Sequence, residues 1–362
     1  MTPAILTLNA GSSSLKFRVF ARDGLTLLAR GAVSRIGADP ELRVAVKGRP
    51  ETSRALPPGT GHEGALQAVL DVAAGEDANW RITAVAHRVV HGGSDYVAPV
   101  VVTPGILADL RALVPLAPLH QPHNLAAIEA AARLTSGAPQ IACFDTAFHA
   151  GRAPETTHFA LPREYFERGV RRYGFHGLSY EWLSHRLAED RPDLAAGRVI
   201  AAHLGNGASL CAMREGRSID TTMGMTAVDG VPMGTRSGAL DPGAILLMIR
   251  SFGMTPEDVE ELIYNRSGLR GVSGLTNDVA ALLEDGGEAA AFALSLFCHR
   301  VAQAAAGLAV SLGGVDAMIF TGGIGENAAP VRQAIIGHLR VLGRFETLVI
   351  PADEERMMAV HA

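Results

Sequence analysis

The 362 residues are 48% hydrophobic and 19% charged, with a net charge of −5 at neutral pH, enough apolar material for two compact domains. No basic run and no interleaving of aromatic with basic residues is present, which argues against nucleic acid, and no apolar run reads as long enough to span a bilayer. The chain opens directly on a strand pattern without a signal peptide, and Cys143, Cys211 and Cys298 are scattered in apolar surroundings, so a cytoplasmic protein with buried thiols is expected.

In chain order, residues 5–20 alternate apolar side chains around a small polar centre, the pattern of strand, tight turn and strand. The turn holds Asn9, Gly11, Ser12, Ser13, Ser14 and Lys16. Gly11 lets the backbone bend and approach a ligand, the serines supply hydroxyls and uncrowded N–H groups, and Lys16 adds a compact positive charge. An ordinary polar hairpin and a phosphate clamp both fit. Lys16 and Lys47 are the only lysines among 32 basic residues, which tilts the balance towards the clamp.

Residues 27–33 and 42–46 read as strands, 62–72 as a helix, and 82–90 as a buried strand ending at His91, Gly92 and Gly93. Residues 104–113 and 122–134 are helical, each with proline near its start, and 140–144 is an apolar strand running into Asp145. The polar, proline-bearing stretch 150–158 marks a domain boundary. Beyond it the pattern restarts. Residues 179–190 are helical; 198–204, 209–214 and 217–222 are strands; 242–252 and 255–264 are helices, the second capped by Thr255 with Pro256 at its first turn. An alanine-rich helix covers 289–312. A strand at 317–320 leads into a glycine turn, and helix, strand and helix follow at 330–339, 347–350 and 352–360. The whole is α/β, with mixed sheets flanked by helices. Strand, glycine turn and strand open both halves, a weak internal duplication that implies two similar domains facing a cleft.

Two further glycine turns stand at strand ends. His203, Leu204, Gly205, Asn206 and Gly207 lie between two strands. Gly323, Ile324, Gly325, Glu326 and Asn327 lie between a strand and a helix, where bare N–H groups favour anions. Each alone is only a turn; together with the first hairpin they suit a nucleotide with several phosphates. Arg88 sits inside an apolar strand and Arg236 in an almost uncharged loop. Each either pairs structurally, with Asp95 and Asp241, or offers a guanidinium fork to an anionic substrate. Asp145 either caps a turn or works beside a ligand. His176, next to Gly177 and two residues after Gly174, is a structural ring or a ligand contact, and Glu354 is a first-turn acid or a functional one. The 13 histidines form no zinc motif.

The run Asn9-Ala10-Gly11-Ser12-Ser13-Ser14-Leu15-Lys16-Phe17 resembles the opening signature of the acetate kinase family of short-chain acyl kinases. The resemblance covers nearly the whole chain. It implies two duplicated ribonuclease H-like (actin-like ATPase) domains: residues 1–148 with the last helix, 353–362, for the acyl substrate, and 149–352 for the nucleotide. It implies Arg88, Asp145, His176 and Arg236 as catalytic residues, with Asp145 expected to orient Arg88, Arg236 or a metal-bound water rather than to abstract a proton, and Val90, Leu119, Phe175 and Ala227 as the walls of a small acyl pocket beside Arg88. It also implies a nucleotide site at Ser12, Ser14, Lys16, the turn from His203 to Gly207, Asp278, Val279, Ala280 and the turn from Gly323 to Asn327. Asn9 and Glu354 would hold Mg2+, for which Mn2+ can substitute. The implied reaction is reversible phosphoryl transfer from ATP to acetate, giving ADP and acetyl phosphate, in a homodimer without nucleic acid or membrane partners.

Two departures from the family pattern stand out. Ala227 replaces the commoner proline, with Pro232 a few residues on, so the pocket could be roomier and admit propionate. The connection between Asn327 and Val349 is shorter than usual, by a deletion or by missing residues. Two alternatives to an acetate kinase remain: another acyl kinase, or an ATP-driven switch of the same superfamily.

Overall fold

The computed structural model describes residues 1–74, 80–135 and 137–362. They form two compact units, Met1–Phe148 with Asp353–Ala362 and His149–Ala352.

In the first unit the strands are β1 (Thr2–Ala10), β2 (Ser14–Ala21), β3 (Leu27–Ser34), β4 (Glu41–Val46), β5 (Thr52–Ala55), β6 (Trp80–Val89), β7 (Val100–Val101) and β8 (Gln140–Phe144). Among the described residues they lie side by side as β5-β4-β3-β2-β1-β6-β8-β7. The stretch from β1 to β5 is an antiparallel meander, whereas β1, β6 and β8 run parallel. Residues 4, 6 and 8 of β1 share one face with period two and join Phe17, Val19, Leu66, Val69 and Ala131 in the core, under the helices His62–Ala74 and Gln121–Leu134. Ile5 and Thr7 point the other way and are buried too, because the helix Glu354–His361 lies against β1 and β6. With both faces covered, β1 is buried from Ala4 to Leu8 and again at Ala10. The edge strands β5 and β7 escaped the sequence reading, the first being fully exposed and the second only two residues long.

In the second unit β9 (Arg198–Leu204), β10 (Ala208–Arg214), β11 (Arg217–Thr221), β12 (Ala317–Thr321) and β13 (Glu346–Val349) lie in the order β11-β10-β9-β12-β13. Three antiparallel strands are followed by two parallel ones, as in β3-β2-β1-β6-β8. The duplication is therefore visible in strand order and direction.

The helix Glu288–Leu312 has the length and apolar composition to cross a bilayer, which corrects the expectation that no run does. Its buried residues, among them Ala290, Ala293, Phe297, Val301, Ala305, Leu308 and Leu312, recur every three or four positions and pack it against β10 and the helix Ala329–His338, as in a core helix. Thr255 caps Pro256–Asn265 in a capping box with Asp258, as its sequence signals. The expected glycine turn after β12 is instead a short helix, Gly322–Asn327, entered through Gly322 at φ +78°.

Candidate active site

Arg88 on β6 is in register with Cys143 on β8, so Asp145, two residues beyond, emerges on the face that carries the arginine. Nε of Arg88 donates to both carboxylate oxygens of Asp145 at 3.0 Å, and Nη2 donates to Oδ2 at 2.6 Å. Glu354 approaches Nη1 at 3.6 Å. The carboxylates beside Arg88 are thus Asp145 and Glu354, not Asp95, the partner that the structural alternative would give it. Burial opposes charge on the guanidinium, but Asp145 and Glu354 outweigh it and hold its pKa above the ordinary arginine value. Burial pushes the Asp145 carboxyl up, against the pull of Arg88, and the negative charge of Glu354 adds to that push.

Two residues missed in the sequence hold this strand end. Where the β1–β6 ladder stops at Leu8 and His87, Asn124 takes over: its amide donates to Ala10 O at 2.8 Å and its carbonyl accepts from Val90 N at 3.0 Å. Gln121 brackets His91, accepting from its N–H and donating to its carbonyl. Their signal was present, as two buried amides three apart on a largely apolar helix. In the first hairpin Gly11 N donates to Ser14 O at 2.8 Å, and the Gly11 carbonyl meets Nε2 of His62 at 2.7 Å. Asn9 pairs with Lys16 across the ladder, while Ser12 and Lys16 are exposed and Ser14 half-buried.

In the second unit His176 precedes the helix Gly177–Asp190 with a left-handed backbone, φ +59° and ψ 24°, a conformation that non-glycine residues adopt at a cost. Its ring stacks on His203 with centroids 4.4 Å apart. A side chain on Gly207 would meet Nε2 of His176 at 3.4 Å and Nη1 of Arg236 at 3.6 Å, so the bare turn, the imidazole and the guanidinium converge. Arg236 also donates to the Ala227 carbonyl at 3.1 Å. Asp241, the partner in the structural alternative, instead caps Pro242–Ser251 by accepting from Gly243 N at 2.7 Å. The Arg236 loop rests on Gly268, at φ +62°, where any β-carbon would strike the Met233 and Arg236 carbonyls.

Asn206 links three predicted segments. Its carbonyl accepts from Gly234 N at 3.0 Å and its side chain accepts from Asn277 Nδ2 at 2.8 Å. Asn277 precedes Asp278, whose carboxylate caps Val279–Asp285 by accepting from Ala280 N. The Glu326 carboxylate accepts from Gly322 N and Ala352 N, both at 3.0 Å, so it braces its own turn. Gly323 and Asn327 are exposed, Ile324 is half-buried and Gly325 buried.

Of the expected acyl-pocket residues, Val90 and Leu119 belong to the first unit and Phe175 and Ala227 to the second. Val90 and Phe175 are buried and Leu119 is 41% exposed. Among the described residues no group of three His, Cys, Asp or Glu side chains could hold a metal on its own. The donor chemistry still fits Mg2+, an ion that takes one or two carboxylates and fills the rest of its shell with water and phosphate oxygens. Asp145 and Glu354 share Arg88, leaving local negative charge for a cation to offset.

The family model for the acetokinase family matches residues 4–359. An acetate kinase of Rhodopseudomonas palustris (strain ATCC BAA-98 / CGA009) is 45% identical over 394 aligned residues, covering 100% of this chain and 98% of that protein. A propionate kinase of Escherichia coli O6:H1 is 39% identical, covering 99% and 96%. The crystal structure of an acetate kinase from Porphyromonas gingivalis superimposes with a TM-score of 0.90 at 33% identity, covering 99% of this chain and 98% of the other.

Proposed function

Since the chain belongs to the acetokinase family, and so moves a phosphoryl group between ATP and the carboxylate of acetate, we propose that Arg88, Asp145, His176 and Arg236 carry the transfer. The observation behind this reading is the Arg88–Asp145 fork on a β-strand end, matched in the second unit by Arg236 and His176 around a bare glycine turn.

Acetate is already ionised at neutral pH, with a pKa in the usual carboxyl range of about 4–5, so the reaction needs no general base. Its obstacle is repulsion between two anions, roughly 4 kcal/mol for unit charges about 4 Å apart at an effective dielectric near 20. Arg88 grips the carboxylate and is itself aimed by Asp145. Arg236 and His176 meet the oxygens of the phosphoryl group. Val90, Leu119, Phe175 and Ala227 limit the acyl chain.

Ser12, Ser14, Lys16, His203–Gly207, Asp278–Ala280 and Gly323–Asn327 take the nucleotide. The first unit with the last helix carries the acyl substrate and the second unit the nucleotide. Asn9 and Glu354 hold Mg2+, or Mn2+ in its place, which when bound offsets charge on the phosphate oxygens. The protein works in the cytoplasm as a homodimer. A surface for the second copy is the helix Pro242–Ser251, which buries none of its residues and leaves Leu246 and Leu247 about half exposed.

A hydroxamate assay with ATP, Mg2+ and acetate tests the assignment. Rates for acetate, propionate and butyrate then rank the substrates. A preference for butyrate overturns the pocket, and no acyl phosphate from any of the three overturns the kinase reading.

A further inference from the structure

We propose that Ser209, with Tyr180 behind it, is a positioning residue that holds His176 as the tautomer protonated on Nε2 and aims that N–H at the Gly205–Gly207 turn. This deepens the reading of His176 as the imidazole that meets the phosphoryl group, and rests on it.

Three buried or half-buried histidines of the second unit share one arrangement. Nδ1 lies 2.8 Å from a serine hydroxyl in His149 (Ser218), in His176 (Ser209) and in His203 (Ser179). For His149 the proton positions follow from its other partner. Nε2 stands 2.9 Å from the Phe175 carbonyl, which only accepts, so Nε2 carries the hydrogen and Ser218 donates to Nδ1.

For His176 the deciding group is Tyr180, whose hydroxyl lies 2.5 Å from Oγ of Ser209. Ser209 has one proton to give. A phenol is the stronger donor and the weaker acceptor of the two hydroxyls, so Tyr180 donates to Ser209 and Ser209 donates to Nδ1. The hydrogen of the neutral ring then sits on Nε2. That atom faces the place where a β-carbon on Gly207 would stand, 3.4 Å away, beside Nη1 of Arg236. The stacked His203 presents its own Nε2 to Gly205, at 3.8 Å from the corresponding point. With the other tautomer, Nε2 of His176 would turn a lone pair towards the oxygens of an incoming phosphoryl group. With this one, the ring and Arg236 offer only donors. The left-handed backbone of His176 is held in the same way, since His149 grips the Phe175 carbonyl immediately before it.

The test is nitrogen NMR on full-length protein labelled at histidine, with His176 assigned by its disappearance in His176→Gln. In the wild type the His176 nitrogens should show Nε2–H. In Ser209→Ala they should move towards a mixture of tautomers, and kcat should fall roughly tenfold, the scale of one lost hydrogen bond, with KM for acetate changed less than about twofold. Tyr180→Phe should shift the nitrogens the same way by less, and it keeps the proposal testable should Ser209→Ala fail to fold. Protonation on Nδ1 in the wild type, or nitrogens unmoved in both variants, overturns the proposal. A tautomer shift in a protein that makes no acyl phosphate from acetate, propionate or butyrate leaves the positioning intact and overturns only the kinase reading.

Discussion

Arg88 and Asp145 meet through three N–H···O contacts, two at 3.0 Å from Nε and one at 2.6 Å from Nη2, on a carboxylate that is 1% exposed. The fork fixes the direction of the guanidinium before any ligand arrives. Asp145→Asn keeps the volume but replaces one acceptor oxygen with an N–H2 group that faces the arginine. We expect kcat to fall on the order of 100-fold, the scale of losing one preorganised electrostatic partner. Steady-state kinetics with acetate check this; a kcat near wild type would make Asp145 purely structural.

Asn277 stands next to Asp278 and its side-chain amide donates to the side chain of Asn206, so it ties two segments of the proposed nucleotide site together. Asn277→Ala should therefore raise KM for ATP roughly tenfold, about one hydrogen bond, while KM for acetate moves little. Initial rates with each substrate varied in turn separate the two.

The proposed acyl pocket includes Ala227, whose carbonyl accepts from Arg236. Ala227→Pro leaves that carbonyl in place and adds ring atoms. The ratio of kcat/KM for propionate over acetate should drop roughly tenfold, within the ~1–3 kcal/mol that one methylene commands. An unchanged ratio would remove Ala227 from the pocket wall.

Sequence reading went furthest where chemistry and periodicity agreed. The hairpin Asn9–Lys16, the strand through Arg88 and the capped helix after Thr255 all follow from local residue order. What stayed hidden were relations between distant residues. The sequence reading leaves Asp145 to orient Arg88, Arg236 or a metal-bound water, and only the strand register selects Arg88, while nothing around Asn206 points to Gly234 or Asn277, because loop packing brings them together. Ser209 and Tyr180 lie 29 residues apart, in a strand and a helix, and no local pattern joins them. Their hydroxyls join only in the fold, where Ser209 meets the His176 ring and Tyr180 meets Ser209.

Three buried histidines make acid stability a sharp readout. Burial pushes the pKa of His87 and of His91 down to about 4, and burial followed by the Arg152 charge pushes His149 down to about 3. Their unfolded values lie near ~6.5, so the unfolded chain takes up protons first as pH falls. Stability should hold above pH ~6.5 and decline below it, by up to ~1.4 kcal/mol per pH unit for each histidine, until the folded values are reached. Urea unfolding of wild type and His149→Gln between pH 7 and pH 5 checks the sign. The glutamine variant should show a slope smaller by about one proton.

The apolar helix Pro242–Ser251 gives a test of assembly. Leu246 is 46% and Leu247 50% exposed, and Phe252 beyond them is 69% exposed. Leu247→Glu should shift sedimentation from dimer towards monomer, since a buried carboxylate at such a contact costs several kcal/mol. An unchanged sedimentation coefficient, with wild type dimeric, would place the interface elsewhere.

Asn124 spans from the end of β1 to the residue two beyond Arg88 at the point where the ladder between their strands runs out. One buried amide thus welds the tip that leads into the serine hairpin to the strand that carries the arginine. Removing that amide would leave the Ala10 carbonyl and the Val90 N–H without the bonds it makes to them, so a single side chain sets the spacing between the two strand ends.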